Sequence, residues 1–408
     1  MVDQIENRVL VSTIMPSPGG VNTMTTFVVN ALRSWGLEPV IAHYQPYSVS
    51  PRLSVPSFKL PFGRIGQLVS SAYDGCESHA IGAWLPELEF THYLPSQHWQ
   101  RLMMGCDAFI SVSGNVLAAT PFARSGRPYV AWVATDWQGD RRDRIKGFPM
   151  ARKFLDTCVN APVLRRFERR LLRGGTTLAL SGYTRRKLQT IAGEASVHTV
   201  LPMPVDIAGF SPAPAARVPL RLGFSGRFDD PRKNLPLFLQ SMALLRKRGH
   251  NVTAVLIGGV VTDGLQASVQ ALGLSGQVQF VGHVPPEKLA QWLQTLDVFV
   301  LPSHQEGLCI AALEAMACGV PVVSTQCGGP EEFVIAGQTG ILVEPDPAQM
   351  ATAIEAIITQ PDLRQKLSNG ARRMVEDRYT ARVAKATLRE AMQKTFPHLQ
   401  LRPEGHLS

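Results

Sequence analysis

The sequence predicts an α/β protein made of two doubly wound, Rossmann-like domains facing a cleft. Three observations lead there. Short apolar runs bounded by Gly and Pro alternate with amphipathic stretches, first in one half of the chain and then again in the other. The 408 residues exceed what one hydrophobic core usually serves. Between the halves runs a proline-rich segment, Leu201 to Pro214, of the kind that links domains.

Composition narrows the function classes. Apolar content of 45% and charged content of 18% belong to a globular enzyme and not to a disordered chain. No run of about eighteen apolar residues exists, and the first seven residues are polar and acidic, so neither a spanning helix nor a secretory signal is expected. The six cysteines show no C-x-x-C pairing and read as free thiols of a reducing cytoplasm. The net charge of +9 is concentrated: residues 141–173 hold eleven Lys or Arg against three acids, a local excess of eight.

In the first half, Val9 to Ile14 is a buried strand, and Gly19-Gly20 opens an amphipathic helix to about Trp35. Such a turn lets backbone approach a ligand closely, though it serves equally as a tight connection. Glu38 to His43 is a second strand. Tyr44 to Gln100, rich in Pro and aromatic residues, reads as long loops and short helices suited to an acceptor site. His79, His92 and His98 fall there without metal-ligand spacing. Asp107 to Val112 and Arg127 to Ala134 are further strands, the second leading to Thr135 and Asp136 at its carboxyl edge. Pro162 to Arg173 is a basic amphipathic helix, with Val163, Leu164, Phe167 and Leu171 on one face and Arg165, Arg166, Arg169 and Arg170 around it. Its stripe either packs inward or meets an anionic membrane. No recognition module or base-stacking array points to nucleic acid. Thr176 to Ser181 is the last strand before the linker.

The second half opens with strand Leu220 to Ser225. A Gly226 turn then brings Arg227 and Lys233 to the carboxyl edge, a planar guanidinium and a compact ammonium such as a diphosphate requires. Read on spacing alone, they serve equally as surface charges. Strands Val252 to Ile257 and Val278 to Val281 follow, the latter running into His283. Asp297 to Leu301 is a buried strand ended by Pro302, and a helix is expected from near Leu308 to a cap at Gly319. Glu306 stands at the mouth of that turn and Glu314 eight residues on, about two helical turns, so both acids are expected on roughly the same side. Carboxylates accept hydrogen bonds only, which suits the hydroxyls of a sugar and a ribose. An ordinary acidic first turn is the plainer alternative. Beyond Pro347 the chain reads as helical to about Phe396, with a frayed tail from Pro397.

The run His304-Gln305-Glu306-Gly307-Leu308 to Glu314 resembles the E-x7-E signature of retaining glycosyltransferases of the GT-B fold, family four. Gly319-Val320-Pro321-Val322-Val323-Ser324, Gly328-Gly329-Pro330-Glu331-Glu332 and Gly337-Gln338-Thr339-Gly340 extend it. The resemblance implies roles for individual residues. Glu306 meets the donor sugar, while Gly20, Arg227, Lys233, Gly307 and Leu308 hold its diphosphate. Glu314 binds the ribose, and the backbone at His283 meets the base. Asp136, or a donor phosphate oxygen, takes the acceptor's proton. Relatives often carry His where this chain has Thr135. The implied organisation is an acceptor domain at 1–205, a hinge at 206–217, a nucleotide-sugar domain at 218–380 and a helix at 381–396 crossing back to the first domain.

The activity so implied is retaining, metal-independent transfer of a hexosyl unit from a nucleotide diphosphate sugar, UDP-sugar favoured over GDP- or ADP-sugar. The acceptor hydroxyl belongs to a glycan, lipid-linked or small-molecule partner. No cofactor or metal is expected beyond the donor, and a cytoplasmic setting, at the inner face of the membrane if residues 141–173 dock there, completes the reading. A sugar-nucleotide epimerase on the same fold and a binding protein that has lost its chemistry are the alternatives.

Overall fold

The computed structural model describes residues 7–16, 19–60, 62–141, 149–213 and 220–403. It divides into two compact units, Met1–Leu201 with Lys385–Ser408, and Pro202–Ala384.

The first unit is built on an eight-stranded sheet: β1 (Arg8–Thr13), β2 (Glu38–Tyr44), β3 (Gln67–Ala72), β4 (Cys76–Ile81), β5 (Ala108–Ser113), β6 (Val130–Val133), β7 (Thr176–Ala179) and β8 (Thr199–Val200). Their spatial order is β3-β4-β2-β1-β5-β6-β7-β8, parallel except for the β3–β4 pair. The central strands are buried because Val, Leu and Ile on both of their faces are covered by helices. Strand order reverses between β1 and β5, which makes their carboxyl ends the crevice of this sheet.

The hairpin β3–β4 corrects the expectation of loops from Tyr44 to Gln100. β3 lies at the sheet edge with Leu68 and Val69 exposed, so it lacks the apolar alternation that marks a half-buried strand. Its turn places Tyr73, Asp74 and Gly75 at positive φ. From Pro397 to Pro403 the chain packs where fraying was expected. Arg402 N donates to Trp35 O at 3.1 Å, and Leu399 is buried.

The second unit carries a six-stranded parallel sheet: β9 (Leu220–Gly226), β10 (Val252–Gly258), β11 (Val278–Val281), β12 (Val298–Leu301), β13 (Val322–Thr325) and β14 (Gly340–Val343), in the order β11-β10-β9-β12-β13-β14. Its switch of direction falls between β9 and β12. The core beneath is formed by Leu222, Phe224, Val298 and Val300 of the sheet against Phe238, Met242, Ile354 and Ile357 of the helices Leu235–Lys247 and Pro347–Thr359. Residues 206–213 of the expected hinge belong to this unit, because Val205 N bonds Tyr379 O at 2.7 Å and Arg372 donates to the carbonyls of Ile207 and Phe210. The remaining hinge positions, 214–217, lie outside the described residues. Helix Ala381–Thr395 passes from this unit into the first at Lys385.

Candidate active site

In the second unit, the loops after β9, β12 and β13 converge at the switch point. Lys233, in the short turn Pro231–Lys233 after β9, donates to Glu306 Oε1 at 2.7 Å, and Ser303 Oγ donates to the same oxygen at 2.7 Å. Both members of the ion pair are largely shielded, with side-chain exposures of 19% and 10%. Burial opposes the charge on Lys233, and the Glu306 carboxylate outweighs it, raising the ammonium's pKa.

The loop carrying Glu306 is fixed by its neighbour. Glu306 N donates to Cys327 O at 2.7 Å, Gly329 N donates back to Glu306 O at 3.0 Å, and the Thr325 hydroxyl bonds Ser303 O. Gly329 must be glycine, since a Cβ there would run into the Gly307 carbonyl. The helix then starts at Ile310 and not near Leu308, because Cys309 takes a left-handed conformation, φ +71°. Glu306 is therefore outside the helix, and the helical spacing expected to align it with Glu314 does not apply. Gly319, φ +74°, closes the helix as expected, with Val320 N donating to Ala315 O.

Glu314 is half-buried on that helix, and burial pushes its carboxyl up to about 7. Leu308 is buried and Gly307 lies in the same loop. Arg227 projects into solvent, its side chain 68% exposed, and donates to Asp230 Oδ2 at 2.8 Å. Asp230, which sequence reasoning overlooked, also accepts from the Arg232 guanidinium and backbone N. Burial works against its charge, but the Arg232 hydrogen bonds prevail and pull its pKa down to about 2. An Asp before Pro231 was a legible turn signal. His283 is exposed after the edge strand β11, two strands from β9.

In the first unit, Asp136 lies just after β6 and caps the short helix Trp137–Arg141, accepting from Gly139 N at 3.0 Å. Thr135 Oγ1 donates to its Oδ1 at 3.3 Å, and Lys187 Nζ stands 3.5 Å away. Beneath it Glu168, fully buried, accepts from Trp137 N at 2.7 Å, and burial pushes its carboxyl up to about 7. Gly20 begins the helix Gly20–Ser34; Ser17 and Pro18 of its turn lie outside the described residues.

A cavity of about 750 Å³ occupies the switch point of this sheet. Ile14 and Met15 after β1 and Gly114 and Asn115 after β5 form its floor. Tyr44, Tyr47, Glu87, Glu89, His92 and Tyr93 come from the Pro-rich region. The Tyr44 and His92 rings stack at 4.2 Å and 10°. His92 Nε2 also meets Pro86 O at 3.1 Å, and His98 Nε2 meets Ile65 O at 2.9 Å. His79 is buried beside Gln67 and Glu77.

Residues 217–374 match the family of glycosyl transferases group 1. A D-inositol 3-phosphate glycosyltransferase of Frankia alni is 36% identical over 187 residues, 41% of this chain and 46% of that protein. A GDP-mannose-dependent alpha-(1-6)-phosphatidylinositol monomannoside mannosyltransferase of Mycolicibacterium smegmatis is 30% identical over 232 residues, 52% and 60% of the two chains. The chain thus spans about half the length of the curated relatives it matches. In fold it is similar to sucrose-phosphate synthase of Thermosynechococcus elongatus, with TM-score 0.70, 18% identity and 96% and 99% of the two chains covered. Anabaena HepE in complex with UDP gives TM-score 0.70 at 15% identity, covering 95% and 100%. Residues 217–374 thus match a glycosyl transferases group 1 domain, and the two parallel-sheet α/β units have the GT-B fold.

Proposed function

We propose that this protein transfers a hexosyl unit from a nucleotide diphosphate sugar to an acceptor hydroxyl, with retention and without a metal. The observation that carries the reading is the Lys233–Glu306 pair at the switch between β9 and β12, where parallel sheets bind their ligands. A shielded ammonium held beside a carboxylate is a preorganised partner for a diphosphate. When the donor enters, the ammonium turns to the leaving phosphate, and Glu306 is freed to accept from the sugar hydroxyls. Arg227, exposed at the surface and paired with Asp230, adds a second cation. Glu314, whose carboxylate has no hydrogen bond or ion pair among the described residues, takes the ribose. Gly20, Gly307 and Leu308 supply backbone along the phosphates, and the backbone at His283 borders the base. Asp136 or a donor phosphate oxygen receives the acceptor's proton.

UDP-sugar remains the first donor to test, beside the GDP-mannose named for the mycobacterial relative. The same relatives' names put inositol 3-phosphate and a phosphatidylinositol mannoside among candidate acceptors. Incubation with UDP-, GDP- and ADP-sugars, following nucleotide release with and without acceptors, tests the proposal. Acceptor-dependent release is expected; an epimerised donor without release would replace the transferase reading.

Peripheral contact with an anionic membrane belongs to the same proposal, but not through the stripe of the helix Ala161–Gly174. Leu164, Leu171 and Leu172 are buried, contributing about 1.5–3 kcal/mol each, against about 1 kcal/mol of surface attraction per basic residue. What supports contact is the exposed set Arg165, Arg166, Arg169 and Arg170, with Phe154 and Met150 upstream, 71% and 80% exposed. Residues 142–148 of the basic stretch lie outside the described residues. Among the described residues, no helix is long and apolar enough to cross a membrane. The six free cysteines support a reducing, cytoplasmic setting.

A further inference from the structure

We infer that the cavity of the first unit receives an uncharged, hydroxyl-rich glycoside carrying an apolar portion, and discriminates against phosphorylated acceptors; this rests on the transferase reading above. The cavity's described lining holds two carboxylates, Glu87 and Glu89, against one guanidinium, Arg152. Glu87 is anchored by Ser57, whose backbone N and hydroxyl both donate to Oε1 at 3.0 Å. Burial pushes its pKa up, but these hydrogen bonds prevail and hold it below the usual carboxylate range, so it is charged at neutral pH. Its other oxygen, Oε2, is shielded from solvent and has no hydrogen-bond partner among the described residues, so the carboxylate acts on the cavity through its charge. A wall carrying this fixed negative charge favours a ligand that brings hydroxyl donors over one that brings a second anion.

A phosphate monoester brings acceptors and negative charge to a wall that already has an excess of both. Most of the remaining wall is aromatic or aliphatic, including Phe58 at the mouth, Phe90, Tyr93 and Phe167. Such surface takes the C–H faces of sugar rings and an alkyl chain, with a few polar groups fixing orientation. At about 750 Å³ the cavity has room for more than a single small polyol.

Calorimetric binding to the full chain compares n-octyl glucoside, galactoside and mannoside, below their micelle concentrations, with myo-inositol 3-phosphate. At least one octyl glycoside is expected to bind about tenfold or more tightly than the phosphate ester, the worth of one charged hydrogen bond. Glu87→Gln, with its melting curve checked, narrows that ratio, and Glu87→Lys narrows it further. Equal or tighter binding of the phosphate ester by the wild-type protein, or no binding of any octyl glycoside, overturns the assignment. Nucleotide-sugar binding is measured on the same sample. If it is intact, only the cavity assignment has failed; if no nucleotide sugar is bound, the transferase reading fails on its own account.

Discussion

Lys233 and Glu306 lie 73 residues apart in the chain and 2.7 Å apart in the fold, one on each side of the β9/β12 switch. Neither can be altered without leaving the other partly stranded. On the proposed reading, Lys233→Ala removes the ammonium that meets the leaving phosphate, and it leaves Glu306 with the Ser303 hydroxyl. We expect a loss of about 2–4 kcal/mol in transition-state stabilisation, read from kcat/KM. Thermal unfolding should also show a loss of stability, smaller than the 3–5 kcal/mol typical of a fully buried broken pair, and partly recovered in Lys233→Ala/Glu306→Gln. Wild-type turnover by Lys233→Ala would remove the phosphate role.

Arg227 separates stability from activity. Its guanidinium is mostly solvated, and Asp230 keeps the Arg232 hydrogen bonds when Arg227 is gone. Arg227→Ala should therefore leave the melting temperature nearly unchanged, as exposed ion pairs contribute about 0–1 kcal/mol. Activity should still fall by about 2 kcal/mol or more in kcat/KM if the guanidinium meets the diphosphate. Unchanged kinetics would show that it remains a surface charge.

Glu314 makes a pH prediction. Burial raises its folded-state pKa to about 7, above the ordinary carboxylate value, so folding binds the proton. The stabilisation from that proton is complete at acidic pH below the unfolded value and is lost as pH rises through about 7. Glu314→Gln, which cannot ionise, should melt near the wild type at pH 4 and above it at pH 8, by up to about 3 kcal/mol. In the same pH interval wild-type nucleotide affinity should rise as the carboxylate forms, and Glu314→Gln should lose that dependence. A pH-independent difference in stability would contradict the burial argument.

Strands β8, β13 and β14 were not assigned from the sequence, whereas β1, β2, β5 to β7 and β9 to β12 were legible because each is built on an apolar run, such as Val9-Leu10-Val11 or Val298-Phe299-Val300-Leu301, cut off by a turn residue. β3 and β4 were not, since the edge strand exposes its apolar side chains and only Asp74-Gly75 marks the hairpin. Arg227, Lys233 and Glu306 could be singled out as site candidates, while their pairing could not. That depends on β9 and β12 being neighbours, a property of topology that no local spacing encodes. The helix start at Ile310 was obscured for another reason: a left-handed Cys309 is not a conformation that its residue type advertises.

Metal independence is tested directly. Activity is expected to persist in excess EDTA, because on the proposed reading Lys233 and Arg227 bring to the leaving diphosphate the positive charge that a divalent ion would otherwise supply. Abolished turnover that Mg²⁺ or Mn²⁺ restores would refute it.

Membrane contact makes the remaining prediction, and it concerns two apolar turns of the first unit. Phe58 and Phe62 are 73% and 95% exposed, with Lys59 beside Phe58, its ammonium 5.7 Å from the ring centre. Phe154 and Met150 are similarly exposed on the helix Met150–Leu155, next to Arg152 and Lys153. Phe58 and Arg152 both line the cavity, so the two turns flank one opening. Aromatic residues interleaved with cations suit an interfacial surface, where rings enter the headgroup layer and ammonium groups meet anionic lipid. Co-sedimentation with vesicles containing anionic phospholipid should show binding that weakens with salt, and neutral vesicles should bind less. Phe62→Ser with Phe154→Ser should lower binding at every salt concentration, whereas replacing Arg165, Arg166, Arg169 and Arg170 with Gln should chiefly flatten the salt dependence. Equal binding to anionic and neutral vesicles, or no effect of either set of changes, would leave the basic face as a solvated surface.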